Sequence, residues 1–361
     1  RASTFHPPSL EMIADLGFSV IDEMLARGLV ADRYQYRDRR SGEVANFDMG
    51  LIAGDTRYPF RLQLEQYEFT RIAQRKLEEL PCAELRFSSE VTGFTEEADG
   101  VTVELQTPGG AESLLAPFLV SAEGAHSRIR KLAGIGYLGF TYDEKFLVVS
   151  TTFPFEEVFE DLSWVNYVSD PEEWCVILRT EKIWRVLFPT TPENADDEER
   201  LLSDEFIQQR LQHLWQRDGD YDIGHRTLYA VNQRVAETYH KGRVLLAGDA
   251  CHINNPLGGM GMNGGLHDAN NLGAKLVRIL RDGEDYRELF EHYNRQRRDL
   301  AVRFVQEHTL ANKKLMEASD PEVQAERQRM LMATAADPEK ARAFLLERAM
   351  INCVRVSEAV A

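Results

Sequence analysis

Between Val244 and Gly265 an apolar run, Val244-Leu245-Leu246-Ala247, leads directly into Gly248-Asp249, followed by His252, Pro256 and glycines at 258, 259, 261, 264 and 265. Glycines so placed let backbone approach a flat ligand closely, because no Cβ intervenes. They stand between a buried strand and a helix, so the helix opening turns its N–H groups toward whatever fills the crevice. Such an opening favours negative charge, as on a phosphate or on the edge of a flat reduced cofactor. Asp249, at the carboxyl end of the strand, is placed to accept hydrogen bonds from sugar-like hydroxyls. A Gly-rich loop with an Asp helix cap would explain part of this string. The fixed order of strand, Gly-Asp, Pro, five glycines and then Asp268-Ala269-Asn270-Asn271-Leu272 favours a cofactor site.

Two further groups of residues point the same way. Val120-Ser121-Ala122-Glu123-Gly124-Ala125-His126-Ser127-Arg128-Ile129-Arg130 is again an apolar strand passing through a turn into a helix, though a Ser-capped turn would read alike. Arg1, and Gln66 opening Gln66-Tyr67-Glu68-Phe69-Thr70-Arg71, are candidates for anion contact. An arginine suits a diphosphate because its guanidinium is a planar fork of donors.

The string from Gly248 to Asn263 resembles the second flavin motif of the para-hydroxybenzoate-hydroxylase-like, or group A, FAD-dependent aromatic monooxygenases. Gly124, Ser127 and Arg130 resemble that family's Asp-Gly, Ser, Arg motif, with Glu123 where Asp is usual and Asn255 where many members carry a second proline. The resemblance spans residues 1 to about 310. It implies that Asp249 binds the ribityl chain and that the Pro256 carbonyl lies beside the reacting flavin carbon, the one catalytic assignment. Gly261, Met262 and Asn263 would hold the pyrimidine edge, with Gly248, Gly258 and Gly259 in the same cofactor set. Glu123, Gly124 and Arg130 would serve the pyrophosphate and the nicotinamide nucleotide, and Arg1 and Gln66 would touch FAD. The implied reaction is reduction of FAD by NADPH or NADH, then O2 addition to a C4a-hydroperoxide that hydroxylates a phenolic or heteroaromatic ring, with no metal. Two alternatives stay open: another FAD-dependent oxidoreductase on this fold, and a non-catalytic flavin-fold binding protein. The family's opening βαβ unit with G-x-G-x-x-G, about 30 residues, is expected ahead of Arg1.

The elements that must position these residues can be outlined. Apolar spacing from Pro7-Pro8-Ser9 onward predicts a helix over about 9–28. Residues 44–53 read as extended, Tyr67–Leu80 as a helix, and 83–96, 101–106 and 114–121 as a meander broken at Asp99-Gly100 and Pro108-Gly109-Gly110. Segments 145–153, 164–168, 173–179 and 184–188 read as an inserted antiparallel sheet. Its Tyr167, Trp174, Arg179, Trp184 and Arg185 are candidate substrate contacts, set against the ordinary fate of strand aromatics as core. Residues 192–218 read as helical, and from Met260 helices run to the end, with breaks near Asp282-Gly283 and Asp320-Pro321.

The expected fold class is α/β: a Rossmann-like FAD/NAD(P)-binding parallel sheet split in sequence, an inserted antiparallel substrate domain and C-terminal helices. The boundaries are 1–137 for the first part of the FAD domain, with 44–58 a candidate addition to the substrate sheet, 138–227 for the substrate domain, 228–310 for the second FAD part and 311–361 for the terminal helices. Leu310, Leu315 and Met316 suit either a homodimer surface or packing onto the FAD domain.

Composition narrows the partners. A net charge of −17 over 361 residues argues against nucleic acid, whose binding is driven by clustered Lys and Arg. Four scattered cysteines form no C-x-x-C pair and fit a reducing, cytoplasmic setting, and no apolar run approaches the ~20 residues of a membrane helix. His126 and His252 read as local packing or hydrogen-bonding residues and Cys251 as a small buried one.

Overall fold

Strand-forming residues between Tyr137 and Pro189 build the largest sheet of the computed structural model, which describes residues 2–170, 172–191, 196–306, 309–311, 313 and 320–360. The chain divides into two compact units, residues 1–69, 141–231 and 310–352, and residues 70–140, 232–309 and 353–361. Strands Tyr137–Thr151 and Arg226–Ala236 run from one into the other. The division at 69/70 falls inside the helix Gln66–Glu78 and groups residues 1–69 with the large sheet.

In the first unit Tyr137–Thr151 pairs with Trp184–Pro189, which pairs with Cys175–Arg179 and so on to Val165–Ser169, all antiparallel. Val165–Ser169 then runs parallel to Arg33–Asp38, which pairs antiparallel with Gly42–Asp48. Alternation sorts this sheet into two faces. Val149, Val186, Ile177, Asn166 and Gln35 lie in register on one. That face, with Leu147, Trp184 and Phe188, packs on Phe206, Ile207, Leu211 and Leu214 of the helix Asp204–Leu214. Val148, Leu187, Val176, Tyr167 and Tyr36 lie in register on the other. There Phe344 of the helix Pro338–Arg348 stacks on Phe47 at 4.5 Å. A small sheet, Thr4–Phe5, Arg61–Gln63 and Leu29–Ala31, completes the unit.

The second unit carries the meander Glu90–Glu96, Val101–Thr107 and Gly110–Ala116, with Val101, Val103 and Leu105 turned inward. Beside it stands a three-stranded sheet in which Leu119–Ser121 runs parallel to Val244–Leu246, and Val244–Leu246 antiparallel to His240–Lys241. Two strands distant in sequence thus lie side by side, giving the split parallel sheet expected. Leu245, Leu246, Cys251, Leu272, Phe290 and Tyr293 form the core that joins this sheet to the helices Met260–Asp282 and Tyr286–Leu300.

Several local expectations needed correction. The helix expected over 9–28 is two helices, Pro7–Asp15 and Val20–Arg27, because Gly17, Phe18 and Ser19 take left-handed φ values of 75°, 55° and 56°. The apolar Leu16, at helical spacing in the sequence, is exposed. Residues 49–52, read as extended, form a 3-10 turn held by the Asp48 carboxylate accepting from Gly50 N at 2.7 Å. Strands Arg33–Asp38 and Arg226–Ala236 were not anticipated, since charged residues interrupt their apolar signal. Helix breaks do fall at Gly283, which takes φ 73°, and at Asp320, whose side chain accepts from Glu322 N. Residues 192–195, Leu315 and Met316 lie outside the described residues. Among those described, no helix is long and apolar enough to cross a membrane.

Candidate functional site

Register decides where the chemistry gathers. Leu246 is paired with Ser121, so the Gly248-Asp249 turn and the Glu123–Ser127 turn leave the carboxyl ends of two neighbouring parallel strands. That end of an α/β sheet is where ligands bind. Ala247 N donates to Ser121 O at 2.9 Å, extending the pairing by one residue.

Arg130 ties the two turns together. Its Nη2 donates to Ala125 O at 2.8 Å and its Nη1 to Ala250 O at 3.0 Å, while its guanidinium lies 3.8 Å from the centre of the Tyr137 ring. Tyr137 in turn donates to Asp249 O at 2.8 Å. Burial pulls the Arg130 guanidinium pKa down, and no carboxylate is within ion-pair range of it among the described residues. Glu123 faces back toward its own helix: Oε2 accepts from Ser121 Oγ at 2.8 Å, Ser127 Oγ at 2.7 Å and Ile129 N at 2.9 Å. Burial raises this carboxyl, but the three donors more than offset that and hold it below its usual range. Together with the Ser127 hydroxyl, which accepts from Arg130 N, it caps the short helix Arg128–Leu132.

The other side of the site is the start of Met260–Asp282. Gly258 and Gly259 take φ values of 98° and 67°, a region costly for residues with a Cβ. The helix opens with no side-chain cap and no acidic residue in its first turn, as an anion-accepting start requires. Gly264 and Gly265, expected to make room for a ligand, make room for the protein instead. A Cβ on Gly264 would lie 2.8 Å from His252 Cε1, and one on Gly265 would lie 3.2 Å from Gly248 Cα. Gly248 itself has φ 63°. Only with these glycines can the helix press against the Gly-Asp turn.

Beneath the turn is a charged cluster of which the sequence disclosed single members but not the assembly. Asp268, fully buried, accepts from Arg297 Nε at 2.7 Å through Oδ1, and its Oδ2 meets His252 Nε2 at 2.8 Å and Gly248 N at 3.2 Å. Arg297 also donates to Gly264 O at 3.2 Å. Burial pushes the Asp268 carboxyl up, but His252 and Arg297 outweigh it and hold the group low. The cluster therefore fixes both the turn and the helix start. His252, read as a local hydrogen-bonding residue, has its place here, while Cys251 is a buried thiol pushed up by burial. Asn255, the departure from the family's proline, is fully buried: its N donates to Gln233 Oε1, its Nδ2 to Thr309 O, and its Oδ1 accepts from Leu257 N. Proline could make none of these bonds. The adjacent Pro256 carbonyl accepts from Gly259 N at 3.0 Å.

Asp249 is exposed at the end of the strand, and Gly261 and Met262 are half-buried on the first turn of the helix. Asn263 is buried and donates to Gly259 O at 2.7 Å. Gly124 takes φ 82° in its turn. Gln66 opens a helix as expected, but in the first unit, and Arg1 lies outside the described residues.

The substrate candidates separate by face. Tyr167 stacks on Tyr36 at 5.1 Å, and Trp174 meets Phe146 edge-on at 5.7 Å. Trp184 belongs to the core face, where its Nε1 donates to Glu156, and Arg179 pairs with the same carboxylate at 3.6 Å. Both side chains thus have a partner in Glu156 within this unit. Arg185, adjacent to Trp184, lies on Tyr167's side of the sheet and donates to Ser3 Oγ at 3.3 Å. A polar cavity of about 430 Å³ between Asp32, Asp48, Asn46 and Ser163 includes none of the expected substrate contacts.

A parallel pair delivering two glycine turns to an uncapped helix start defines an α/β protein for a phosphate-bearing, dinucleotide-type cofactor. Comparison with known proteins makes this specific. Residues 1–308 match the family described as FAD binding domain. The para-nitrophenol 4-monooxygenase of Pseudomonas sp. strain WBC-3 is 30% identical over 99% of this chain and 88% of its own. The 6-hydroxy-3-succinoylpyridine 3-monooxygenase of Pseudomonas putida strain DSM 28022 / S16 is 29% identical over 82% of this chain and 75% of its own. The crystal structure of p-nitrophenol 4-monooxygenase from Pseudomonas putida DLL-E4 superposes with a TM-score of 0.89, at 29% identity, covering 97% of this chain and 88% of that one. This chain belongs to the para-hydroxybenzoate-hydroxylase-like, FAD-dependent aromatic monooxygenases. It is an enzyme of the flavin class, and the two alternative readings are set aside.

Proposed function

We propose that this protein hydroxylates a phenol, with NADPH or NADH as reductant, and that each site residue has a distinct part. The relatives named for para-nitrophenol support the substrate class. Bound FAD would supply electron transfer from the nicotinamide and the activation of O2. The observation that carries the reading is the convergence of two glycine turns at the ends of paired strands, beside a helix start without acid or cap.

In this reading Asp249 holds the ribityl hydroxyls, and the N–H groups of Gly261, Met262 and Asn263 hold the pyrimidine edge against the helix dipole. Gly248, Gly258 and Gly259 let the backbone come close, and Pro256 presents a backbone edge to the reacting face. Gly124 and Arg130 shape the turn facing the diphosphate. Glu123 positions Ser127 and the helix start, because the oxygen that a shorter Asp would aim differently is committed to three donors. Tyr167 and Trp174 are the candidates for ring contact, on the sheet face away from the core.

The test is to load the purified protein with FAD and follow NADPH and NADH oxidation with and without a panel of phenols. We expect faster oxidation with a phenol and a product one oxygen heavier by mass spectrometry. A protein that holds FAD but whose nicotinamide oxidation no phenol or heteroaromatic accelerates would overturn the reading.

A further inference from the structure

The Gly248–Ala250 turn closes on itself through Cys251 N donating to Gly248 O at 2.8 Å, and its next two carbonyls are held from outside the turn. The Tyr137 hydroxyl donates to Asp249 O at 2.8 Å, and Arg130 Nη1 donates to Ala250 O at 3.0 Å. These donors stand 112 and 120 residues away along the chain. They also hold each other, since the Arg130 guanidinium lies 3.8 Å from the centre of the Tyr137 ring. Arg130 reaches the other glycine turn through Nη2, which donates to Ala125 O at 2.8 Å. The Tyr137 side chain is therefore common to both sides of the site. Its own place is fixed one residue earlier, where Gly136 N donates to Glu237 Oε2 at 2.9 Å and Gly136 O accepts from Glu237 N at 3.0 Å. All of these groups belong to the second unit.

A guanidinium taken out of water without compensation is strongly unfavourable. Arg130 is 4% exposed, and burial pulls its pKa down. Glu123, the carboxylate of the neighbouring turn, is committed to Ser121, Ser127 and Ile129 N. A carboxylate in the place of the Tyr137 ring would cancel the positive charge that the junction of the two turns presents to a phosphate. An aromatic face acts differently: it attracts the cation through its quadrupole and leaves the net charge in place. Burial pushes the Tyr137 phenol up by more than Arg130 draws it down, so the hydroxyl keeps the proton that it donates to Asp249 O. Ring and hydroxyl thus act on different neighbours. Phenylalanine would supply the first without the second, and leucine would supply neither.

Resting on the flavin-site reading above, we propose that Tyr137 is a positioning residue for FAD with two separable parts. Its ring supports the charge of Arg130 toward the diphosphate, and its hydroxyl fixes the backbone from which Asp249 reaches the ribityl hydroxyls.

The test is FAD titrated into the full chain freed of flavin, with affinity read from flavin fluorescence and the thermal midpoint of each variant measured without FAD. Tyr137→Phe should lower FAD affinity about two- to tenfold, as for loss of one hydrogen bond. Tyr137→Leu should lower it a further three- to thirtyfold, about the value of a desolvated cation–π contact. In an Arg130→Gln background that further loss should vanish, the Phe and Leu variants agreeing within about twofold. A Tyr137→Phe affinity equal to that of the unaltered chain would overturn the proposal. So would a difference between Phe and Leu that persists without Arg130, or a lower thermal midpoint in both variants with FAD affinity unchanged, either of which would make Tyr137 a packing residue. Should Tyr137→Leu fail to fold, or Arg130→Gln bind no FAD, Tyr137→Phe decides through its affinity and midpoint. An unaltered chain that takes up no FAD would sink the site assignment and this proposal with it, whereas variants that bind FAD as the unaltered chain does would sink this proposal alone.

Discussion

Replacing Asp268 by Asn preserves the outline of the side chain and removes its charge, which makes it a direct probe of the cluster beneath the cofactor turn. In the native fold the carboxylate is fully buried and engages Arg297 at 2.7 Å, His252 at 2.8 Å and Gly248 N at 3.2 Å. After Asp268→Asn, Arg297 remains buried without its counter-charge, a loss of about 3–5 kcal/mol for breaking one side of a buried pair. Urea denaturation should show that loss as a lower midpoint with an unchanged slope. The effect should also reach the ligand, because Gly248 N and, through Arg297, Gly264 O are both held by the cluster. FAD affinity, read from flavin fluorescence, should fall about tenfold, the equivalent of ~1.4 kcal/mol of lost preorganisation. The pH dependence has a definite sign. The folded-state pKa of Asp268 is depressed, so its contribution is complete above the unfolded value of about 4 and disappears as pH falls through the lower folded value. Asp268→Asn should lack that acid-limb loss. If the variant lost under about 1 kcal/mol and bound FAD as before, the claim that the cluster sets the geometry of the turn would be wrong. A cycle with Arg297→Gln should further show coupling of about 1–3 kcal/mol between the two positions.

Three other outcomes are expected. Gly264→Ala and Gly265→Ala should each cost about 1–3 kcal/mol in thermal or urea unfolding, since the new methyl meets His252 or Gly248. Gly273→Ala in the same helix has nothing within 4 Å and should stabilise by about 0.5–1 kcal/mol; equal effects at all three positions would refute the packing role. Asn255→Pro, which introduces the residue common in the family, should destabilise by at least about 2 kcal/mol, because three hydrogen bonds are lost at a fully buried position; a neutral result in calorimetry would show that the loop accommodates either residue. His267 is buried, and burial, with Arg297 adding to it, lowers its pKa to about 3. The unfolded chain therefore binds the extra proton, and stability should fall as pH drops from about 6.5 toward 3 by at most ~1.4 kcal/mol per unit. His267→Gln should reduce that slope.

The cofactor motifs were legible in sequence because their signals are local. An apolar strand, a Gly-Asp turn and a helix opening are adjacent along the chain, and Gly258 and Gly259 declare the left-handed backbone they adopt. Gly283 and Asp320 mark helix ends for the same reason. Glu123 was legible as a departure, but not its consequence, since the direction of its carboxylate depends on where Ser121 and Ile129 end up.

What the chain alone could not decide is which groups meet from a distance, and which side of an alternating strand faces inward. Trp184 and Tyr167 look alike as strand aromatics; pairing register sends the first into the core and the second to the opposite face. Asp268 finds His252 and Arg297 at separations of 16 and 29 residues, and Asn255 finds Thr309 at 54. Gly264 and Gly265 read as space for a ligand until the turn that they touch is in place. Sequence specified the flavin-binding strings through short-range backbone chemistry. Tertiary structure alone brought two of them to adjacent strand ends and buried the charges that brace them, because those outcomes depend on packing between segments remote along the chain.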